Sequence, residues 1–284
     1  MMEGAGGVAY RYRPTQSSML DLEFAQLSDP GKVRTQNEDY LGHVIPDSPA
    51  QVRSHGWLFA LADGVGGHAE GEVASRMAVE SVMGGFRAAA GGDLHTTLLA
   101  RLVQAANAQV FEAGLKSTQR GHAMATTIVL CALRFDRAAV AHVGDSRCYL
   151  IRRGHATTLT KDHTVANEQV RLGALSGLEA AGAPSRHMLS RSVGNEMFVS
   201  VEISDHQVEA GDVLLLCSDG FHGAVAAREI PPMITPTTDL SAAARDLVSV
   251  AKDRDGSDNV SVQLVRIRAV ERVGMYRGRP YKLH

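Results

Sequence analysis

Three apolar segments of this chain end in the same way, and this feature constrains the fold more than any other. Each segment stops at an aspartate that a very small residue follows, in WLFALAD-G, AAVAHVGD-S and VLLLCSD-G. Two other apolar segments begin with acids, in NED-YLGHVI and D-NVSVQLV. In an antiparallel sheet, the end of one strand lies beside the start of its neighbour. Six acids are therefore expected to meet at one edge: Glu38, Asp39, Asp63, Asp145, Asp219 and Asp258.

The order of the segments predicts an α+β fold. Strand-like segments come first, two helical patterns follow over residues 69–90 and 94–117, and strand-like segments then return. Short links such as the RRG tripeptide are typical of hairpins, so the sheets are expected to be antiparallel. Residues 162–200 are less regular, which is typical of a lid or a binding loop in a compact domain.

Composition excludes several classes of function. The net charge is −2, whereas a general nucleic-acid surface needs a marked basic excess. No apolar stretch approaches the roughly 20 residues that cross a bilayer, and the N-terminal residues contain no apolar signal core. The three cysteines lie in apolar runs without C-x-x-C spacing, which is typical of buried thiols in a reducing compartment. We expect a cytoplasmic monomer with no membrane or nucleic-acid partner.

Six acids at the rim of an apolar core repel one another unless a cation offsets their charge. Arg34 is the obvious cationic residue near them in the sequence, and one arginine is not enough. Hard divalent cations prefer oxygen ligands, so the pattern indicates Mg²⁺ or Mn²⁺. Zinc is disfavoured because no histidine or cysteine pair has zinc spacing. Gly64 would let a backbone carbonyl approach an ion.

A dinucleotide site is the rival interpretation of the same stretch. Gly64, Gly66 and Ala69 fit the dinucleotide fingerprint after a strand. Asp63 directly before them would repel a pyrophosphate, and a second helix follows instead of a parallel strand. The metal interpretation is therefore favoured.

Six motifs together resemble a known family. KVRTQNED, LADGVGGHAEGEVAS, ATT, HVGDSR, LLCSDG and DGSDNVSV follow in the order and spacing of the bacterial metal-dependent protein phosphatases, the protein phosphatase 2C family. The resemblance implies a four-layer α-β-β-α sandwich of two antiparallel sheets flanked by helices. It also implies an N-terminal arm over 1–21, a catalytic domain over 22–268 with a flap at 162–200, and a basic tail over 269–284.

The resemblance assigns the ligands of two core ions, Mg²⁺ or Mn²⁺. By this resemblance, Asp63 bridges both ions and the Gly64 carbonyl helps to hold one of them. Asp219 and Asp258 complete the other. Asp39 holds waters bound to the ions.

The resemblance further implies a third, weaker ion at Asp145, shared with Asp219, and places Glu38 beside the core site. Arg34 matches the arginine that binds the substrate phosphate, which a guanidinium can grip with two hydrogen bonds. In the implied mechanism, a hydroxide shared by the two core ions attacks phosphorus in line, and no phosphoenzyme forms.

The general acid is left open by the sequence. Some family members carry a histidine two residues after the bridging aspartate, where this chain has Val65. His68, further along the same loop, is a candidate proton donor for the leaving group, and an ordinary loop or capping histidine is an equal interpretation. His187 in the flap is a weaker candidate.

The sequence therefore predicts a metal-dependent phosphoserine/phosphothreonine protein phosphatase in signal transduction. Its partners would be proteins that a cognate Ser/Thr kinase phosphorylates. Two alternatives have the same fold: a non-catalytic binding module, which the complete ligand set disfavours, and a small-molecule phosphoesterase, which the sequence does not exclude.

Overall fold

The computed structural model describes residues 8–11, 20–65, 70–116, 124–234, 239–270, 273–276 and 279–282. Its strands are β1 (Val8–Arg11), β2 (Leu20–Asp29), β3 (Asp39–Val44), β4 (Trp57–Asp63), β5 (Ile128–Arg134), β6 (Arg137–Val143), β7 (Arg147–Arg152), β8 (His155–Thr158), β9 (Glu202–Gln207), β10 (Val213–Cys217), β11 (Val260–Val270), β12 (Val273–Tyr276) and β13 (Arg279–Lys282). Its α-helices are α1 (Pro49–Ser54), α2 (Gly71–Ala88), α3 (His95–Lys116), α4 (Val165–Arg171), α5 (Gly177–Gly182), α6 (Asp219–His222), α7 (Ile230–Met233) and α8 (Leu240–Arg254). Two short 3₁₀ turns span Pro184–His187 and Ala227–Glu229.

The strands form two main sheets in which all neighbours are antiparallel, as predicted. One sheet has the order β1-β2-β11-β10-β7-β8, and the other has the order β3-β4-β5-β6-β9. A separate hairpin pairs β12 with β13. The hydrogen-bonded order places β3, β4 and β6 in one sheet and β10 and β11 in the other, so the acid-bearing ends come from both sheets.

The two sheets stack face to face because their strands are apolar on both sides. In β4, Phe59 and Leu61 lie in the core between the sheets, together with Leu214 and Leu216 of β10. The alternate β4 residues, such as Ala60, belong to a second core under α2 and α3. Side chains alternate between the two faces of a strand, so covering both faces produces the uninterrupted apolar runs of the sequence.

Helices cover the outer face of each sheet, which completes the predicted four-layer sandwich. α2 and α3 pack on one sheet through residues such as Val82 and Leu99. α8 packs on the other sheet through residues such as Leu247 and Ala251. In the described part of the chain, no helix is long and apolar enough to cross a membrane.

The central part of the flap is closed by backbone contacts at its base. It carries α4, α5 and the 3₁₀ turn at Pro184–His187. Thr164 and Leu189 form an antiparallel bridge at its base, and the amide of Val165 donates to the carbonyl of Met188 at 2.8 Å. Thr164 and Leu189 are therefore adjacent and form the base of the flap, at the start of α4.

Three local features of the structure were not predicted from the sequence. The segment after Pro46 contains α1, because Pro49 suits a first helical position and the Ser48 side chain accepts a hydrogen bond from the amide of Gln51. β9 and β10 follow each other in the chain but belong to different sheets. The predicted arm and tail contain β1, which pairs with β2, and the β12–β13 hairpin.

Candidate metal centre

The ends of the strands bring the predicted acids together. Asp39 begins β3 and Asp63 ends β4, and these two residues are directly paired in the antiparallel register. Asp145 follows β6, Asp219 begins α6 just after β10, and Asp258 precedes β11. Asp63, Asp145, Asp219 and Asp258 line one cleft, which the flap borders on one side. The convergence that the strand pattern predicts is therefore present in the fold.

Burial makes these carboxyl groups hard to ionise. Burial raises the pKa of Asp39 to about 7, and the negative charges of Asp219 and Asp258 add to the shift. Burial likewise raises the pKa of Asp145 to about 8, with repulsion from Asp219 as the next cause. The pKa values of Asp63 and Asp219 are raised for the same reason. Such a group stays ionised near neutral pH only if a cation lies beside it.

One oxygen of Asp39 marks where a cation would fit. Its Oδ2 accepts a hydrogen bond from the Ser218 hydroxyl at 2.8 Å, whereas its buried Oδ1 has no hydrogen-bond partner among the described residues. A carboxylate oxygen can only accept, so burial without a donor is costly. An acceptor left open among carboxylates with raised pKa values fits an oxygen-seeking divalent ion such as Mg²⁺ or Mn²⁺.

Three arginines line the cleft, and two of them, Arg34 and Arg147, are paired with acids. Arg147 donates two hydrogen bonds to Asp162, at 2.8 and 2.6 Å. Arg34 donates to Asp258 Oδ2 at 2.8 Å, and this bond raises the pKa of the arginine. Among the described residues, neither guanidinium is bonded to Asp39 or Asp63. The predicted phosphate-binding arginine therefore lies in the cleft, bonded to a predicted metal ligand.

The backbone of Asp63 is held at both of its polar groups. Its amide donates to the Thr127 hydroxyl at 3.0 Å, and its carbonyl accepts from the Thr127 amide and the Thr126 hydroxyl, both at 2.8 Å. Thr127 in turn bonds to the Ser146 hydroxyl, beside Asp145, at 2.7 Å. The ATT motif thus fixes the position of one predicted ligand, a role typical of residues around metal sites.

Gly64 is required by packing as well as by its predicted role. A Cβ at Gly64 would lie 2.4 Å from the carbonyl oxygen of Gly71, the first residue of α2. The Gly64 amide donates to the carbonyl of Glu38 at 3.0 Å. Burial raises the pKa of the Glu38 carboxyl. The start of α2, Gly64 and Glu38 therefore form one tight corner beside Asp63.

Three histidines are of interest for the metal centre: His68, His187 and His222. His68 lies outside the described residues. His187 lines the cleft from the flap, where its Nε2 accepts a hydrogen bond from Arg186 at 2.8 Å. His222, which the sequence interpretation missed, also lines the cleft, and its Nε2 is 3.0 Å from the carbonyl oxygen of Asp145. The signal for His222 was its place one helical turn after Asp219 in SDGFH.

Known proteins with similar sequences are protein phosphatases. The protein phosphatase 2C family matches residues 32–260. The protein phosphatase PhpP of Streptococcus pneumoniae is 32% identical over 251 residues, which are 86% of this chain and 97% of that protein. The serine/threonine phosphatase stp of Listeria monocytogenes is 32% identical over 241 residues, 84% of this chain and 93% of its own.

Solved structures of bacterial phosphatases share the fold. The S. agalactiae serine/threonine phosphatase has a TM-score of 0.79 and 31% identity, covering 87% of this chain and all of that one. The catalytic domain of the serine/threonine protein phosphatase PstP, solved with two manganese ions, has a TM-score of 0.71 and 32% identity, over 87% and 98% of the two chains.

A family match over most of the sequence, relatives covered almost end to end and the acidic cleft all agree. This chain belongs to the protein phosphatase 2C family.

Proposed function

We propose that this protein removes phosphate from phosphoserine and phosphothreonine in other proteins, with two Mg²⁺ or Mn²⁺ ions as cofactors. The observation that carries the proposal is the cluster of buried carboxyl groups with raised pKa values that opens into a cleft beside an arginine. Oxygen ligands of this kind suit hard divalent ions.

The residues proposed to hold the ions are those at the converging strand ends. Asp63 would bridge the two core ions, with the Gly64 carbonyl on one and with Asp219 and Asp258 on the other. Asp39 would hold waters bound to the ions through its unpartnered Oδ1. When bound, the ions supply an activated water as nucleophile and stabilise the charge that develops on the phosphoryl oxygens.

A second group of residues completes the proposed site. Glu38 supports the core site from the corner beside Gly64. Asp145 would bind a third, weaker ion, which it shares with Asp219.

Arg34 is the proposed substrate-binding residue. Its guanidinium lies in the cleft and can donate two parallel hydrogen bonds to a phosphate, which a lysine cannot match. An ion competes with Arg34 for the carboxylate of Asp258, so ion binding is expected to release the guanidinium towards the phosphate. Binding of metal and of substrate would then be linked through one side chain.

The two alternatives are not favoured equally. A non-catalytic module has no need for the unpartnered oxygen of Asp39 or for an arginine in the cleft. A small phosphoester is a closer rival, since the proposed chemistry touches only the phosphate. The relatives that match almost end to end are named protein phosphatases, which supports protein substrates.

Hydrolysis of a phosphothreonine peptide tests the proposal. We expect activity with Mn²⁺, no activity with excess chelator, and a loss of activity in the Asp63→Asn and Asp219→Asn variants. Asp246→Asn is the matched control, because Asp246 is exposed on α8. Full activity in chelator, or in both cleft variants, would contradict the metal mechanism. An inactive wild type that still binds phosphopeptide would favour the non-catalytic module.

Kinetic comparison of a phosphopeptide with a small ester addresses the substrate class. A kcat/KM clearly higher for the peptide is expected, and equal values would favour the small-molecule phosphoesterase.

We further propose a catalytic unit over 22–268 that acts as a cytoplasmic monomer opposite a cognate Ser/Thr kinase. The free, buried thiols of Cys131, Cys148 and Cys217 support a reducing compartment.

A further inference from the structure

A buried histidine, His163, joins the metal centre to the flap. It lies directly before Thr164, at the base of the flap, and only 3% of its surface is exposed. Both polar backbone groups of Gly144 are bonded to it: the Gly144 amide donates to His163 Nδ1 at 3.2 Å, and the Gly144 carbonyl accepts from the His163 amide at 3.0 Å. Gly144 is the residue before Asp145.

The turn at Gly144 can take few other conformations. Its φ is +104°, in the region that favours glycine, and a Cβ there would lie 2.6 Å from the Cβ of Thr127. The direction in which Asp145 leaves β6 therefore depends on the bonds that hold Gly144. His163 supplies two such bonds, one from its ring and one from its backbone.

The other contacts of His163 lead into the flap. Its carbonyl accepts from the amide of Ser190, on the returning segment of the flap, at 2.9 Å. Its Nε2 lies 3.3 Å from Glu202 Oε2 of β9 and 3.4 Å from Arg191. Arg191 donates to Glu168 in α4 at 2.9 Å. One residue thus contacts the Asp145 turn, the base of the flap and β9.

The bonds fix which nitrogen of His163 carries the proton. Because Nδ1 accepts the Gly144 amide, the neutral ring has its proton on Nε2, where it can be donated to Glu202. His142 stacks on the ring with centroids 4.7 Å apart and bonds through Nε2 to the carbonyl of Lys161 at 2.8 Å. These contacts hold the ring plane in place.

His142, His163 and Glu202 have the side chains of a possible metal site, with ligand atoms within 4.8 Å of one another. Two features disfavour an ion there. Nε2 of His163, the nitrogen that faces Glu202, carries a proton in the tautomer that Gly144 requires. The guanidinium of Arg191 lies 3.4 Å from the same nitrogen and would repel a cation. The cluster is better suited to hydrogen bonding than to ligation.

We propose that His163 is a positioning residue that ties the flap to the Gly144–Asp145 turn, so that one side chain sets both the Asp145 carboxylate and the wall of the cleft. The effect on metal affinity rests on the proposed function, through Asp145. The effect on the backbone does not, and can be measured on metal-free protein.

Two substitutions of His163 distinguish its bond to Gly144 from its contact with Glu202. Asparagine places its side-chain oxygen near the position of Nδ1 and keeps an acceptor for the Gly144 amide. Glutamine reaches towards the position of Nε2 and keeps only the contact with Glu202. In chelator, we expect the Gly144 amide to exchange roughly tenfold faster in His163→Gln, as for one lost buried hydrogen bond, and near the wild-type rate in His163→Asn. Glu202→Gln is the control and should leave this amide unchanged.

The same variants are then titrated with Mn²⁺ by calorimetry. His163→Gln is expected to weaken the weakest Mn²⁺ site about tenfold and to leave the tighter sites unchanged, and His163→Asn to behave as wild type. If the wild type binds no Mn²⁺, the proposed function fails while amide exchange still decides the present proposal. Equal Gly144 exchange in His163→Asn and His163→Gln would overturn it, as would a Zn²⁺ site in wild type that both variants lose.

A measurement on the wild type covers the case in which His163→Gln does not fold. Long-range ¹H–¹⁵N correlation spectra report the tautomer of each histidine. The proposal expects an unprotonated Nδ1 and a protonated Nε2 for His163, and the opposite tautomer would overturn it.

Discussion

The two ends of strand β10 carry the same residue in opposite situations. Asp212 precedes the strand, and its side chain is only 2% exposed. It accepts two hydrogen bonds from Arg152, at 2.8 and 2.6 Å, and one from the amide of Glu209 at 2.7 Å. Asp219, just after the strand, has no arginine or lysine within ion-pair distance in the described ranges, and burial raises its pKa. A buried acid with its own guanidinium supports the fold, whereas we propose that one without it holds an ion.

Exchanging each acid for its amide should have opposite effects, and this is the largest difference that we predict. Asp219→Asn is expected to lower kcat at least about 100-fold, because the ion loses a ligand. It should not lower the stability of the metal-free protein, because it removes repulsion among the carboxylates. Asp212→Asn is expected to lower the free energy of unfolding by about 2 kcal/mol, because Arg152 loses its charge partner. Urea unfolding in chelator and peptide assays in Mn²⁺ measure both.

The comparison fails if the two variants behave alike. A loss of activity in Asp212→Asn equal to that in Asp219→Asn, with both proteins folded, would show that the arginine partner does not separate the two roles.

The stability that the protein gains from metal binding should depend on Asp219 and not on Asp212. At a free Mn²⁺ concentration about 100 times the Kd, binding adds about 2.7 kcal/mol to the stability of the folded state. We expect this gain in the wild type and in Asp212→Asn, and little of it in Asp219→Asn. Differential scanning fluorimetry with and without Mn²⁺ measures the gain, with Ca²⁺ as a test of ion preference. An equal rise in Tm for all three proteins would place the ion elsewhere.

Removing the cleft arginine should affect binding more than turnover. Arg34→Ala is expected to raise KM for a phosphopeptide about tenfold, since two charge-assisted hydrogen bonds to phosphate are lost. Arg34→Lys should recover only part of the affinity, because a lysine cannot donate in the same parallel geometry. Steady-state kinetics at saturating Mn²⁺ give both constants. An unchanged KM in Arg34→Ala would remove this residue from substrate binding.

The smallest predicted effect is a pH dependence of the metal-free protein. The folded pKa values of Asp39 and Asp145 are raised to about 7 and about 8. Each group holds its proton more tightly when folded, so its stabilising effect is present at low pH and is lost as pH rises through these values. Burial lowers the pKa of His95 and His222 to about 4, which gives the opposite slope below about pH 6.5.

Among the described residues with shifted pKa values, the acids therefore dominate between about pH 6.5 and 8. In chelator, the free energy of unfolding should fall across this window, and the fall should be smaller in Asp145→Asn. Saturating Mn²⁺ should remove most of it, because a bound ion keeps the carboxylates ionised. A flat profile in chelator would contradict the electrostatic account of the centre.

Sequence patterns predicted that the acids at the strand ends lie close together, but not which side chains form ion pairs with acids. The strand ends could be recognised because an apolar run that stops at an aspartate appears in local sequence. Gly211-Asp212 and Asp219-Gly220 look alike at that level. What separates them is Arg152, which is 60 positions from Asp212 and reaches it only because β7 and β10 are neighbours. Long-range pairing of this kind has no signature in a short motif.

The contacts of His163 could not be predicted for the same reason. Its bond to Gly144 joins residues 19 positions apart, and its contact with Glu202 needs β9 to lie beside β6. The sequence predicted a flap over 162–200, but the bonds at its base depend on the folded sheet. α1 was not predicted because proline is common in loops, although Pro49 also suits the first turn of a helix.

The central claim is that the converging acids hold metal ions, and anomalous diffraction from crystals grown with Mn²⁺ tests it most directly. We predict two strong manganese peaks at the cleft, with Asp63 in contact with both and with Asp219 and Asp258 on one. Arg34 would then be turned away from Asp258. A well-ordered cleft without manganese, with Arg34 still bonded to Asp258 and with Asp39 Oδ1 still unpartnered, would contradict the account.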